Sequence, residues 1–180
     1  MIVITGNMYH APNVDAVEFF CRDIFPLVCE HEPSANLWLV GAKPVARVRK
    51  WAKNPRIKVT GFVPDVRPYL REAVVSVCPV RLRIGTQTKI LEALTCGTPV
   101  VTSSAGNHGI GAVSGKHLYV TDDSNAFADH VVSLLLADKW NQFSENGRRF
   151  VHDNFSWESS AAKLEQVIER MVEDSKSTST

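Results

Sequence analysis

The sequence predicts one α/β domain, a doubly wound parallel sheet of about six strands flanked by helices. Short β-branched runs alternate with helical stretches along the chain, and no hairpin signal joins neighbouring runs. The run 74–78 is almost continuously apolar, the pattern of a strand covered on both faces. A length of 180 residues suits a single domain, and 44% hydrophobic with 22% charged residues is the balance of a globular protein.

Residues 2–5 are apolar β-formers ending at Gly6. Asn13 is a candidate N-cap for a helix to about Cys29, with Val14, Val17, Phe20, Cys21 and Ile24 as its apolar stripe. Pro26 predicts a kink in its last turn. Strand 37–40 ends at Gly41, and Pro44 opens a helix to about Ala52 at a position proline tolerates. Strand 57–60 ends at Gly61, and Asp65 is placed to cap a short helix to about Glu72. After strand 74–78, a helix over 89–96 closes at Gly97, a left-handed stop. Strands 99–102 and 117–121 follow, then helices 125–136, 139–152 and 156–172. The Ser/Thr-rich residues 173–180 are predicted to be a disordered tail on a domain of residues 1–172. No internal repeat or interior linker interrupts this order. Ligands of such sheets bind beyond the strands' carboxyl ends, where strand order reverses, which singles out Gly6, Gly61 and Pro79.

A formal charge of +1 and 8% aromatic residues, without a basic stripe, argue against nucleic acid as a partner. The four cysteines form no C-x-x-C pair and read as small buried hydrophobes in a reducing compartment. The opening residues lack the pattern of a signal peptide, and no apolar run reaches the length of a membrane span. The expected location is cytoplasmic. Residues 43–58 hold seven basic residues and no acid. The simplest reading is a solvated helix face with Val45, Val48 and Ala52 buried; peripheral contact at the inner membrane surface is the alternative. His10, His108 and His117 fall near strand ends without metal-ligand spacing, and no Ser/His/Asp set is discernible, so no metal is assigned. Residues 106–109 follow strand five and are expected to shape the rim of the site.

The loop after strand four, 79–89, carries Arg81, Arg83, Gly85, Thr86, Thr88 and Lys89 immediately before a helix. A helix N-terminus attracts phosphate through its free N–H groups and dipole. Gly85 would allow close backbone approach, and the arginines would add charge-assisted bonds. On the helix, Lys89, Glu92 and Cys96 share a face at i, i+3 and i+7, while Ile90, Leu91 and Leu94 point to the core. A carboxylate at Glu92 would accept from vicinal hydroxyls of a ribose; an ordinary Lys89–Glu92 surface pair is the plainer reading.

The string Gly85, Lys89-Ile90-Leu91-Glu92-Ala93-Leu94, Gly97 and Pro99-Val100-Val101 resembles the donor-binding helix of GT-B glycosyltransferases, family 4 or "group 1". Gly6-Asn7-Met8 with Pro12-Asn13 and Asp15-Ala16-Val17 resembles the opening of that family's C-terminal domain. Residues 59–65 resemble its base-binding turn, and Phe155-Ser156-Trp157 the entry to its closing helix. The resemblance covers nearly the whole chain and implies a Rossmann-like domain forming one half of a GT-B fold.

Carried over by position, it assigns the ribose hydroxyls of a nucleotide-diphosphate sugar, such as a UDP- or GDP-sugar, to Glu92, with Leu91 beside it. The base would meet the backbone of Phe62 and Val63, and Gly6 and Asn7 would make room for the diphosphate. Thr86 and Thr88 would add phosphate contacts, with Lys89, Arg81 and Arg83 as competing counter-charges around Gly85. The donor is a substrate, and no cofactor is implied. In many family members a second acid, eight positions before the helix glutamate, contacts the transferred sugar; here that position is Ile84. An R-x-G-x-G variant is matched by Arg81 and Gly85, with Arg83 replacing the first glycine.

The implied activity is hexosyl transfer of retaining type to an acceptor in glycan or glycolipid synthesis, with no catalytic residue assigned. Members of the family have two such domains, so the expectation is an incomplete, inactive half that needs an N-terminal GT-B domain in cis or trans. Two rivals remain: a non-catalytic nucleotide-sugar-binding module, and a nucleotide-sugar epimerase of GT-B architecture. A receiver-like domain would need an acidic cluster after strand one, where Gly6-Asn7 stands.

Overall fold

The computed structural model describes residues 1–83, 85–136 and 139–177. Six strands, β1 (Ile2–Thr5), β2 (Leu37–Val40), β3 (Ile57–Gly61), β4 (Val75–Cys78), β5 (Val100–Thr102) and β6 (Tyr119–Val120), form one sheet in the order β3-β2-β1-β4-β5-β6. Every pairing is parallel. The chain winds outward from β1 through β2 to β3, then returns to the other side of β1 for β4, β5 and β6. Strand order therefore reverses between β1 and β4, as a doubly wound sheet requires.

The sheet is covered on both faces because its strands alternate apolar residues onto two cores. Ile2, Ile4, Leu37, Leu39, Val75 and Val77 face one core with Phe20, Phe25 and Phe127. Val3, Val40, Cys78 and Val100 face the other with Leu70, Ile90 and Leu94. The first is aromatic-rich, with Phe20 edge-on to Phe127 at 6.1 Å between ring centroids.

The first helical region differs from the sequence expectation at both ends. Helix α1 (Ala11–Phe19) starts after His10, with Pro12 in its first turn, so Asn13 lies inside the helix and is not its cap. Where one kinked helix to Cys29 was expected, a π-helical turn (Phe20–Ile24) links α1 to α2 (Phe25–His31), in which Pro26 occupies the first turn. The Phe25 N–H bonds the Phe20 carbonyl, one residue further back than in an α-helix. Widening the helix there accommodates Pro26, which lacks an N–H and crowds the carbonyl four residues earlier.

Helix α3 (Ala46–Arg49) tightens into a 3-10 turn (Lys50–Lys53). That tightening turns Ala52 to solvent, against expectation, while Val48 is buried and Val45 half-buried. Glu18 binds both Arg47 and Lys50, and Lys58 lies over the Trp38 ring, so part of the basic run is satisfied locally. Helix α4 (Arg67–Glu72) has Val66, not the expected Asp65, at its N-cap position; Asp65, one residue earlier, accepts from the Arg67 N–H at 2.9 Å.

Helix α5 (Thr88–Thr95) ends in a Schellman turn: Gly97, at φ +79°, donates to Leu94 O and Thr98 to Ala93 O. A Cβ on Gly97 would lie 2.2 Å from the Arg148 side chain, which itself donates to Cys96 O. The short α6 (Ser104–Asn107) is capped by Ser103, whose Oγ accepts from the Gly106 N–H at 3.0 Å. Helices α7 (Ser124–Leu135) and α8 (Trp140–Phe155) follow, with α8 three residues longer than expected at its C-terminal end. Helix α9 (Trp157–Ser177) continues through residues 173–177, read from sequence as disordered tail; that run holds no Gly or Pro to stop a helix. Residues 178–180 lie outside the described residues.

One ion pair ties the two halves of the sheet. Arg81, after β4, makes a bidentate contact with Asp15 on α1 and covers the Phe19 ring. Hydrogen bonding from the guanidinium holds the Asp15 carboxyl below its ordinary range. A lowered carboxylate pKa adds stability above the ordinary aspartate range, and the gain disappears as pH falls through the folded-state value.

Two expectations follow for folding. Asp15→Asn should be less stable than the native chain at neutral pH, by up to about 1 kcal/mol because the pair is solvent-accessible. Urea melts across an acidic series should show that difference closing toward low pH. Gly41→Ala should cost about 1–3 kcal/mol in the same melts, the range for overpacking, because its Cβ would lie 1.7 Å from Gly6 O.

Candidate functional site

A cleft of about 420 Å³ opens at the carboxyl ends of β1, β2 and β3, beside the reversal point. Three loops and two helices, α1 through Asn13 and α5, build it. Thr5, Gly6 and Asn7 form the floor after β1, and Gly41 and Ala42 follow β2. Phe62, Val63 and Val66 come from the turn after β3, and Thr88, Lys89 and Glu92 from the first turns of α5.

Glycines shape three of these walls. Gly6 and Gly41 touch so closely that a side chain on Gly41 would enter the Gly6 carbonyl. A Cβ on Gly6 would press on Asn13 Nδ2 at 3.0 Å and Lys89 Nζ at 3.5 Å. Gly61, at φ +75°, turns the chain so that Phe62 stands at the rim, 76% exposed. A register shift between β2 and β3 pairs Val40 with Gly61, which extends β3 one residue past its expected end.

The polar groups of the floor are specific. Lys89 Nζ donates to Asn13 Oδ1, and Asn13 Nδ2 donates to Asn7 O at 2.9 Å. Lys89 thus reaches across to α1 and does not form the surface pair with Glu92 that spacing alone would suggest. Asn7 Oδ1 accepts from the Tyr9 N–H at 3.1 Å, holding the turn after β1. Thr5 Oγ1 is buried with no hydrogen-bond partner among the described residues. In α5, Ile90, Ala93 and Leu94 are buried, whereas Leu91 is half-buried and Glu92 exposed.

The structure gathers Gly6, Asn7, Phe62, Val63, Thr88, Lys89 and Glu92 in this cleft. It places the remaining candidates elsewhere. Arg81 and Arg83 line a separate cavity of about 310 Å³ with Phe19, Ser104 and Asp122. Leu91 borders a shallow groove shared with Glu92, Arg67 and Phe155. Gly85, at φ +52°, and Thr86 pack against the 106–109 loop: Thr86 Oγ1 donates to Gly109 O, and a Cβ on Gly109 would lie 2.9 Å from Thr86 Cα. Ile84 lies outside the described residues. Sequence reading missed Thr5, Asn13, Gly41, Ala42 and Val66 as lining residues. Gly41 carried a signal, a glycine at a strand end, but Asn13 looked like a helix cap.

Other groups are placed away from the cleft. His10 is exposed, and His117 stacks on Phe150 with Nδ1 accepting from the Val113 N–H. All four cysteines are free, and burial pushes the Cys21 thiol up to about 12. Among the described residues no cluster of three His, Cys, Asp or Glu could hold a metal, and no helix is long and apolar enough to cross a membrane.

Comparison with known proteins matches this geometry to a family. Residues 1–137 match the family "Glycosyl transferases group 1". Over 114 residues the chain is 31% identical to the O-antigen chain mannosyltransferase B of Escherichia coli, covering 62% of this chain and 29% of that protein. Sucrose-phosphate synthase from Thermosynechococcus elongatus superposes with a TM-score of 0.71 at 21% identity, over 96% of this chain and 45% of that one. The C-terminal domain of the group 1 protein LpcC from Francisella tularensis gives 0.67 at 19% identity, over 87% and 86%. Anabaena HepE, in complex with UDP and glucose, gives 0.70 at 14% identity, over 93% and 47%. The chain thus spans less than a third of the mannosyltransferase and about half of the two larger enzymes. Its six-stranded Rossmann-like sheet is that of a GT-B glycosyltransferase domain, and the chain belongs to the group 1 glycosyltransferases.

Proposed function

We propose that the cleft binds the nucleotide-diphosphate end of a sugar donor and that the complete protein transfers the sugar to an acceptor in glycan or glycolipid synthesis. The observation that carries this reading is the convergence of Glu92, Lys89 and Gly6 on one cleft at the carboxyl ends of the strands. Glu92 accepts from the ribose hydroxyls, as an exposed carboxylate on the α5 face suits. The turn at Phe62 and Val63 receives the base. The diphosphate lies over Gly6, near Lys89 and the N-terminal end of α5, where the helix dipole favours an anion. In the reaction these groups would stabilise charge developing on the leaving diphosphate, an electrostatic role.

The reading includes a retaining outcome and a second domain, and two further features support its donor and second-domain parts. HepE is described with UDP and glucose, a nucleoside diphosphate and a sugar together. On α9, Leu164, Val167, Ile168 and Met171 recur at helical spacing and are 53–67% exposed, an apolar row suited to a second domain. That second domain would be the N-terminal GT-B half, in cis or trans, and the 180-residue chain alone would bind donor without transferring sugar. The setting we propose is the cytoplasm, with Lys53, Arg56 and other basic residues of 43–58 available for peripheral contact at the inner membrane surface.

Calorimetric titration with UDP, GDP and ADP tests the donor site. One of the three should bind the native chain, and better than its 2′-deoxy counterpart. Glu92→Ala should weaken binding about tenfold or more, the loss expected for hydrogen bonds to a charged group, and should erase the preference for ribose. Failure of all three to bind at millimolar concentration sinks the reading. Incubation with UDP-sugars should leave them intact without the second domain; an epimerised sugar would instead identify an epimerase.

A further inference from the structure

We infer that Asn13 is a positioning residue that aims an uncancelled Lys89 charge at the phosphate end of the cleft. This rests on the donor reading and deepens it. The two contacts of Asn13 fix its amide orientation without ambiguity. An ammonium only donates, so the oxygen must face Lys89, which leaves the amide nitrogen to donate to the Asn7 carbonyl. Asparagine inside a helix is unfavourable on propensity, and here its side chain leaves the helix to bridge α5 and the turn after β1.

Neutrality is the point of the arrangement. An aspartate at this position would turn an oxygen toward the Asn7 carbonyl and cancel the charge on Lys89. Arg81 shows the contrast: Asp15 grips its guanidinium bidentately, so that cation is already spent on a structural pair. Gly6 completes the geometry, because any side chain there would press on Asn13 and approach Lys89. The space above Gly6 is thereby left open to a ligand beside an ammonium that Asn13 holds in place.

The test titrates the native chain, Asn13→Ala, Asn13→Asp, Lys89→Ala and the Asn13→Ala/Lys89→Ala double variant with the preferred nucleoside diphosphate and its parent nucleoside. Asn13→Ala should weaken diphosphate binding about tenfold, and Asn13→Asp more, while nucleoside binding stays unchanged. On the Lys89→Ala background, Asn13→Ala should cost little, because the two side chains act as one unit. Equal losses for nucleoside and diphosphate, or an undiminished loss on that background, would overturn the positioning role alone. If the native chain binds no nucleoside diphosphate, the donor reading falls and takes this one with it.

Discussion

The contact between Gly6 and Gly41 is the constraint on which the cleft depends. Strands β1 and β2 lie in register, so the residues after them leave the sheet side by side. With ordinary side chains at both positions the turns would be forced apart. With glycines the two backbones meet, the turn after β1 lies flat, and open space remains above it. Everything polar is arranged around that space: the Asn7 carbonyl, the Asn13 amide and the Lys89 ammonium on one side, Glu92 further along α5.

Charge is distributed with equal economy. The loop after β4 looks from its sequence like a cluster of interchangeable cations. In the fold the cations have separate tasks. Arg81 locks α1 to the loop through Asp15, Arg83 borders a different cavity, and Lys89 alone among these three borders the Gly6 cleft. The residues that hold the loop in place are mostly uncharged. Thr102 Oγ1 donates to Cys78 O at 2.7 Å, Ser103 Oγ donates to Val80 O, and Thr86 Oγ1 donates to Gly109 O. The cation that borders the cleft and the groups that support the loop are thus different side chains.

Much of the architecture was legible because it depends on local pattern. The six strands and the Gly97 stop follow from apolar periodicity and turn chemistry. The cleft residues Gly6, Lys89 and Glu92 were legible because they stand at strand ends or on one helix face. What escaped the sequence depends on contacts between distant residues. Asn13 and Lys89 are 76 positions apart, and nothing in either segment announces the bond between them. Arg81 and Asp15 are 66 apart, and the pairing changes what Arg81 does. The π-helical turn escaped for another reason: Pro26 predicts a disturbance, but whether a helix kinks or widens depends on its packing against the core.

The closure of α5 at Gly97 has a mechanical consequence. Its C-terminal end is clamped, with Arg148 of α8 filling the space where a side chain on Gly97 would be and bonding the Cys96 carbonyl. Its N-terminal end carries Lys89, which lines the cleft about 12 Å away at 1.5 Å per residue. That end is held as well, by the bond from Lys89 to Asn13 of α1, so α5 is clamped at both ends. The spacing of Lys89 and Glu92 along the cleft wall is thereby set by a single rigid turn whose two ends are anchored in different layers of the domain.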